Sequence, residues 1–189
     1  MEGHTLTKKG SGSLYLLVST ATTGGFDVAE GTLWVPSTMA GAANTFTIRT
    51  GASLGQTGSG STSDRHPGSV LFENGTTWKM AGSPNNNFLD GRWDGPVTFG
   101  GNTTVDVTTG FTLTQNGIMS GSAPVTKTGG GAWIVKSFSP HTGGVLVSGG
   151  KLVLNAANTT TGAAALAGSI TVGTGSTLEL ALQGALGSL

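Results

Sequence analysis

The chain has 189 residues, with 9 basic and 9 acidic side chains and a formal net charge of zero. Hydrophobic residues make up 36% of it and charged residues only 10%, which is too apolar for a disordered linker. The balanced charge argues against a nucleic-acid partner. The absence of cysteine excludes disulfide scaffolds and cysteine-ligated metal sites.

The sequence pattern predicts no targeting or membrane-spanning segment. The N-terminal residues lack the apolar core of a signal peptide. No apolar run approaches the roughly 20 residues that a membrane helix requires. We therefore expect a segment without membrane insertion, whose export signal, if it is exported, lies elsewhere in a longer protein.

Short alternating runs of apolar and polar residues predict β-strands along the whole chain. Glycine and other small polar residues separate the runs, and a glycine-rich loop is predicted over 55–63. The one helix candidate, Ala163–Ala167, is limited to about one turn by flanking glycines. In chain order the predicted strands are Leu14–Val18, Phe26–Val28, Leu33–Val35, Phe46–Arg49, Ser69–Phe72, Thr76–Met80, Val97–Phe99, Thr104–Val107, Phe111–Thr114 and the runs that end at Val135, Val147, Leu154 and Val172.

The sequence repeats itself at a constant offset of 119 residues. The matched positions are mostly glycines, threonines and a lysine, with hydrophobic runs in register between them. They pair Thr7, Lys8, Gly10, Gly12, Thr23, Gly24, Gly25, Val28, Gly31 and Leu33 with Thr126, Lys127, Gly129, Gly131, Thr142, Gly143, Gly144, Val147, Gly150 and Leu152. A repeat with fixed glycine spacing indicates a stack of similar turns.

This pattern predicts an all-β fold, a parallel β-solenoid in which residues 1–189 form one domain. Turns of about 20 to 25 residues would stack about 4.8 Å apart and share one core. Phe26 and Val28 should point inward, as should Val145 and Val147. The chain would then be a fragment of a longer repeat protein.

The segment from Phe111 to Leu154 resembles the autotransporter-associated β-strand repeat, also called the passenger-associated transport repeat. Weaker similarity extends over residues 93–98 and 6–35. The resemblance implies a right-handed solenoid in the secreted passenger of a bacterial surface protein, and hence an extracellular or cell-surface location. The residues that carry it are Gly117–Ser122, Val125–Gly131, Thr142–Gly144 and Gly149–Leu152.

Acidic residues in and near the least repetitive stretch, residues 81–96, are the candidates for chemistry. Asp90, Asp94 and Asp106, with Arg92 nearby, could supply the carboxylates of a polysaccharide-cleaving site or bind calcium. Their glycine and asparagine neighbours are more typical of turns. We therefore predict no catalytic residue, metal or cofactor, and no enzymatic activity.

Aromatic residues offer a second kind of site. Arg92 and Trp93, together with Phe88, could present a surface to a glycan, but a tryptophan that covers the solenoid core is the favoured interpretation. Trp34, Trp78 and Trp133 lie in predicted strands and are expected to pack against the core or a sheet face.

The remaining titratable residues are expected to be solvated. His4, His66 and His141 are isolated in predicted loops without a second metal ligand at a suitable spacing. Lys8, Lys127 and Lys151 are interpreted as solvated residues on a strand face.

Three functional hypotheses follow. The first is a structural stalk or display segment whose free ends could pair end to end into filaments. The second is an adhesin or glycan-binding module that uses Asp90, Arg92, Trp93 and Asp94. The third, a polysaccharide-active enzyme, has the weakest basis in the sequence.

Overall fold

The computed structural model describes residues 3–16, 24–36, 44–57, 66–82, 89–156 and 165–181. Every regular element in these ranges is a β-strand, and every strand pairing is parallel. The predicted all-β parallel solenoid is therefore confirmed. None of the described segments is a helix of the length and apolarity that would span a membrane.

The strands form three parallel sheets that run along the solenoid axis. The first sheet contains β1 (Thr5–Lys8), β3 (Gly25–Val28), β5 (Thr45–Ile48), β7 (Ser69–Phe72), β10 (Val97–Phe99) and β13 (Met119–Ser120). The second contains β2 (Ser13–Tyr15), β4 (Thr32–Val35), β6 (Ser53–Thr57), β8 (Thr76–Ala81), β11 (Thr103–Val107), β14 (Val125–Thr128), β16 (Val145–Val147) and β18 (Ile170–Val172). The third contains β9 (Asp90–Trp93), β12 (Thr112–Gln115), β15 (Ala132–Val135), β17 (Lys151–Leu154) and β19 (Thr177–Leu180).

Each strand pairs with the equivalent strand one turn away, so the turn length can be read from the register. Thr5 pairs with Gly25, 20 residues later, whereas Val70 pairs with Val97, 27 residues later. The strands keep their register while the connections between them absorb the difference in length.

Inward-facing side chains form continuous rows because the sheets are in register. Phe26, Val28, Val145 and Val147 are all buried, as predicted. Burial of one such side chain stabilises the fold by about 1.5 to 3 kcal/mol. One row of the second sheet comprises Leu14, Leu33, Leu54, Trp78, Val105, Lys127, Val147 and Val172.

The tryptophans divide between the core and a sheet face, as expected. Trp78 and Trp133 are fully buried. Trp34 lies on the outer face of the second sheet, where its ring stacks on Tyr15 with centroids 5.7 Å apart. A Cβ atom at residue 55 would lie 2.3 Å from the Trp34 ring, so Gly55 leaves the space that the indole occupies.

The first described strand of the third sheet is β9, which lies in the least repetitive stretch of the sequence, residues 81–96. The prediction that Asp90 shapes a turn is wrong, because Asp90 is the first residue of β9. A Cβ atom at Gly91 would lie 2.5 Å from Met80 Sδ. Glycine therefore occupies an inward position of this strand, and the alternating apolar pattern that identifies a strand is missing.

Candidate functional site

The two sequence repeats build the same corner at two different places in the cross-section. In the first copy, residues 6–35, the corners join the first sheet to the second, from β1 to β2 and from β3 to β4. In the second copy, residues 125–154, they join the second sheet to the third, from β14 to β15 and from β16 to β17. The repeat therefore specifies a corner between two strands rather than a fixed face of the solenoid.

Each copy places a lysine ammonium group inside its corner. Lys8 and Lys127 are 8% and 0% exposed, so the prediction that they are solvated is wrong. Lys8 Nζ donates to the carbonyl oxygens of Lys9 at 2.9 Å, Gly10 at 2.5 Å and Glu30 at 3.0 Å. Lys127 Nζ donates to those of Thr128 at 2.5 Å, Gly129 at 3.0 Å and Gly149 at 3.1 Å.

The two sets of acceptors are equivalent, since each pair is separated by the repeat offset of 119 residues. An ammonium group has three donors and no acceptor, which matches three carbonyl groups that converge on one point. Two of the acceptors follow the lysine directly, and the third belongs to the next turn. The lysine therefore links successive turns of the solenoid.

Glycines at the corners meet a steric requirement as well as a conformational one. Gly31 and Gly150 have φ of 69° and 65°, in the left-handed region that favours glycine. A Cβ atom at Gly31 would lie 2.4 Å from the Gly12 carbonyl oxygen, and one at Gly150 would lie 2.4 Å from that of Gly131. The turns therefore stack too closely at the corner for any side chain at these positions.

Burial changes the electrostatics of the second corner. Desolvation lowers the pKa of Lys127 to about 8, and the charge of Asp106 opposes this shift. Asp106 Oδ1 accepts a hydrogen bond of 3.0 Å from Thr128 Oγ1, which holds the carboxylate beside the corner.

The four residues predicted to bind a ligand lie together on and after β9 but face different ways. Asp90 is exposed and Arg92 is half-buried, whereas Trp93 is fully buried. Arg92 Nε donates to Asp94 Oδ1 at 2.8 Å, and Asn116 Nδ2 donates to the same oxygen at 2.5 Å. Asp90 is therefore open to solvent, Arg92 and Asp94 are partly accessible, and Trp93 is not accessible.

Trp93 packs into the core from β9, the first described strand of the third sheet. Its ring stacks on His66 with centroids 4.9 Å apart, and it makes edge contacts with Phe46 at 5.5 Å and Trp78 at 5.7 Å. A glycan arriving from solvent would not contact this indole. The favoured interpretation of Trp93 as a residue that covers the core agrees with this packing.

The candidate carboxylates are divided between two sheets. Asp106 projects from the outer face of the second sheet, whereas Asp90 projects from the third. Within the described ranges no group of three histidine, aspartate or glutamate residues is arranged to hold a metal ion.

Two of the three histidines are interior residues. His66 and His141 are 0% and 1% exposed, so the prediction of solvated side chains is wrong for both, whereas His4 is exposed. Burial lowers the pKa of His66 to about 4 and lowers that of His141 as well. Both rings pack in the core as neutral side chains. His66 packs against Trp93, and the ring centroids of His141 and Phe99 are 5.4 Å apart.

Comparison with known proteins identifies the repeat. The family model of the passenger-associated transport repeat matches residues 6–35 and 125–154. These are the two segments that contain the lysine corners. No curated protein and no solved structure matches the chain. The chain thus carries two passenger-associated transport repeats, which fit a segment of an autotransporter passenger and which fold as lysine-filled corners of a parallel β-solenoid.

Proposed function

We propose that this chain is a structural segment in the secreted passenger of a bacterial surface protein, where it extends or displays other parts of that protein. The observation that carries the proposal is the lysine corner, which occurs in both segments that match the transport repeat. Its hydrogen bonds link one turn to the next. Such bonds suit a component whose task is to hold a continuous stack.

The geometry of the stack supports an extended shape. Parallel strands lie about 4.8 Å apart, so the eight strands of the second sheet span about 35 Å along the axis. The core is one continuous cluster along this length. A rod with a shared core can hold an attached domain at a fixed distance from its anchor.

Surface display tests the proposal. The chain would be placed between an export signal and the membrane anchor of an autotransporter, with an epitope tag at its N-terminal end. We expect antibody labelling of the tag on intact cells. A matched fusion that carries Gly131→Val, which places a side chain 2.4 Å from the Thr108 carbonyl oxygen, should be exported poorly or be degraded by added protease. Retention of the wild-type fusion inside the cell would contradict the proposal.

A binding role for the stretch 81–96 stays a prediction. Asp90 is the most exposed member of the candidate group and Arg92 is partly exposed, so Asp90→Ala and Arg92→Ala are the variants that test it on a glycan array. Trp93→Ala is unsuitable for this purpose, because removal of a fully buried tryptophan costs about 3 to 5 kcal/mol of stability. An array on which neither the wild type nor the variants bind would remove the hypothesis.

A further inference from the structure

At one position of the first corner, Gly12, no described residue of the chain lies close enough to require glycine. Gly12 does not have a positive φ, and a Cβ atom built on it meets nothing within 4 Å. Its equivalent in the second copy is Gly131, where a Cβ atom would lie 2.4 Å from the Thr108 carbonyl oxygen and 2.5 Å from that of Phe111. The preceding turn of the solenoid therefore requires glycine at residue 131, and the same requirement at residue 12 has no visible source.

The turn that covers the second corner has a defined form. It runs from Thr108 to Phe111, closes with a hydrogen bond of 2.9 Å from the Phe111 amide to the Thr108 carbonyl, and contains Gly110 with φ of 85°. It joins β11 to β12. These two strands pair with β14 and β15 on either side of the Lys127 corner.

The last described rung, β18 and β19, contains a turn of the same form. The Ser176 amide donates to the Gly173 carbonyl at 3.1 Å, and Gly175 has φ of 77°. One end of the described solenoid therefore shows an uncovered lysine corner. The other end shows a turn of the kind that covers such a corner inside the molecule.

Both ends also expose the edges and apolar residues that such a contact would bury. β2 and β18 are the two edge strands of the second sheet, and edge strands present unpaired backbone groups to a further strand. Val172 and Leu180 are 42% and 50% exposed at the C-terminal rung. Leu6 and Leu14 are only partly buried at the N-terminal rung.

We propose that this chain stacks head to tail, with the β18–β19 rung of a second copy placed on the β1–β2 rung of the first. The internal contact gives the register, since Val105 pairs with Lys127 and Leu113 with Trp133. By equivalence, Ile170 of one copy lies opposite Lys8 of the next, and Leu178 lies opposite Leu14. The Gly173–Ser176 turn then covers Gly12, which explains why this residue is glycine.

The proposed contact is heterologous and does not close on itself. β18 belongs to the second sheet and β1 to the first. Each added copy is therefore rotated about the solenoid axis, so that its first sheet continues the second sheet of the copy before it. The same one-face shift already relates the two repeats inside the molecule. Contacts that join unlike ends and do not close by rotation produce filaments.

Gly12→Val tests the contact with little disturbance of the monomer, because a Cβ atom at residue 12 meets no described residue of its own chain within 4 Å. For the wild type we expect a molar mass that rises with concentration in sedimentation velocity or light scattering. For Gly12→Val we expect half-association to require about ten- to hundredfold more protein, with an unchanged unfolding midpoint. Thr104→Val, on the outer face of an internal strand, is the matched control and should associate like the wild type.

A mixing experiment identifies which two ends meet. Val172→Lys places a charge at the exposed C-terminal rung and should also block growth. Gly12→Val retains an intact C-terminal end and Val172→Lys an intact N-terminal end, so a 1:1 mixture should form dimers and nothing larger. A wild type that stays monomeric at every concentration would overturn the proposal, as would association of Gly12→Val at the wild-type concentration. Neither result affects the surface-display experiment, which uses single anchored chains.

Discussion

The two repeats contain the same hydrogen bonds in different surroundings. Lys8 and Lys127 each donate to three equivalent carbonyl groups. Lys127 nevertheless has a full turn of solenoid before it, whereas Lys8 belongs to the first described rung. Each repeat therefore encodes the geometry of its corner, whereas the burial of that corner depends on the turn that stacks before it.

The largest contrast is expected for Trp133 and Leu14, which occupy equivalent inward positions. Trp133 is fully buried, so Trp133→Ala should lower the free energy of unfolding by about 4 kcal/mol. Leu14 is only partly buried, so Leu14→Ala should cost about 1 to 2 kcal/mol. Urea denaturation followed by circular dichroism measures both at a protein concentration where the chain is monomeric. Equal losses would show that the first rung is as well packed as the internal ones.

The glycine pair should differ nearly as much. Gly131→Val forces a side chain against backbone carbonyls at 2.4 and 2.5 Å, and we expect a loss of about 3 kcal/mol. Gly12→Val should change stability by less than about 0.5 kcal/mol, because surface substitutions without neighbours are usually neutral. Thermal unfolding of the two variants checks this difference. A destabilised monomeric Gly12→Val would mean that the first corner has a neighbour within the chain.

Replacing the lysines tests the corner bonds directly. Lys127→Met leaves three carbonyl groups without their shared donor in a buried site and should cost about 2 to 3 kcal/mol. Lys8→Met should cost about 1 kcal/mol, because water can replace the lysine at the first rung. Lys151→Met is the control, since Lys151 forms an exposed ion pair with Glu179 and such pairs contribute little. Similar losses for all three variants would contradict a special role for the corner.

A dependence of stability on pH is also expected. The pKa of Lys127 is about 8 in the folded chain and 10.5 when solvated, so the unfolded chain binds more protons between these values. The contribution of Lys127 to the free energy of unfolding should therefore rise with pH from about 8 to 10.5. Unfolding measured across this range in wild type and Lys127→Met gives the contribution by difference. Parallel curves for the two proteins would show that the ammonium keeps its solvated pKa.

Much of the fold could be predicted from glycine spacing and hydrophobic alternation, because both report directly on strands and turns. Phe26, Val28, Val145 and Val147 point inward as expected. The pattern does not predict β9, because Gly91 occupies an inward position where an apolar side chain would identify a strand.

The corner itself was harder to predict, because a charged side chain reads as solvated unless its acceptors are known. Those acceptors are backbone carbonyls, which a sequence does not display. A signal was nonetheless present: the lysine recurs at the repeat offset, two residues before the first corner glycine in both copies. His66 offered no comparable signal, since its partner Trp93 lies 27 residues later across a stretch without a regular pattern.

The third hydrogen bond of each corner lysine gives the stack a direction. Lys8 reaches forward to Glu30, and Lys127 reaches forward to Gly149, so in both copies an earlier turn donates to a later one. Within its own turn, each lysine ammonium group forms two of its three hydrogen bonds. The third forms with a carbonyl group of the turn that follows. The full set of three hydrogen bonds therefore exists only when two consecutive turns are present, so a protein truncated between them would lose one bond in three at the lysine.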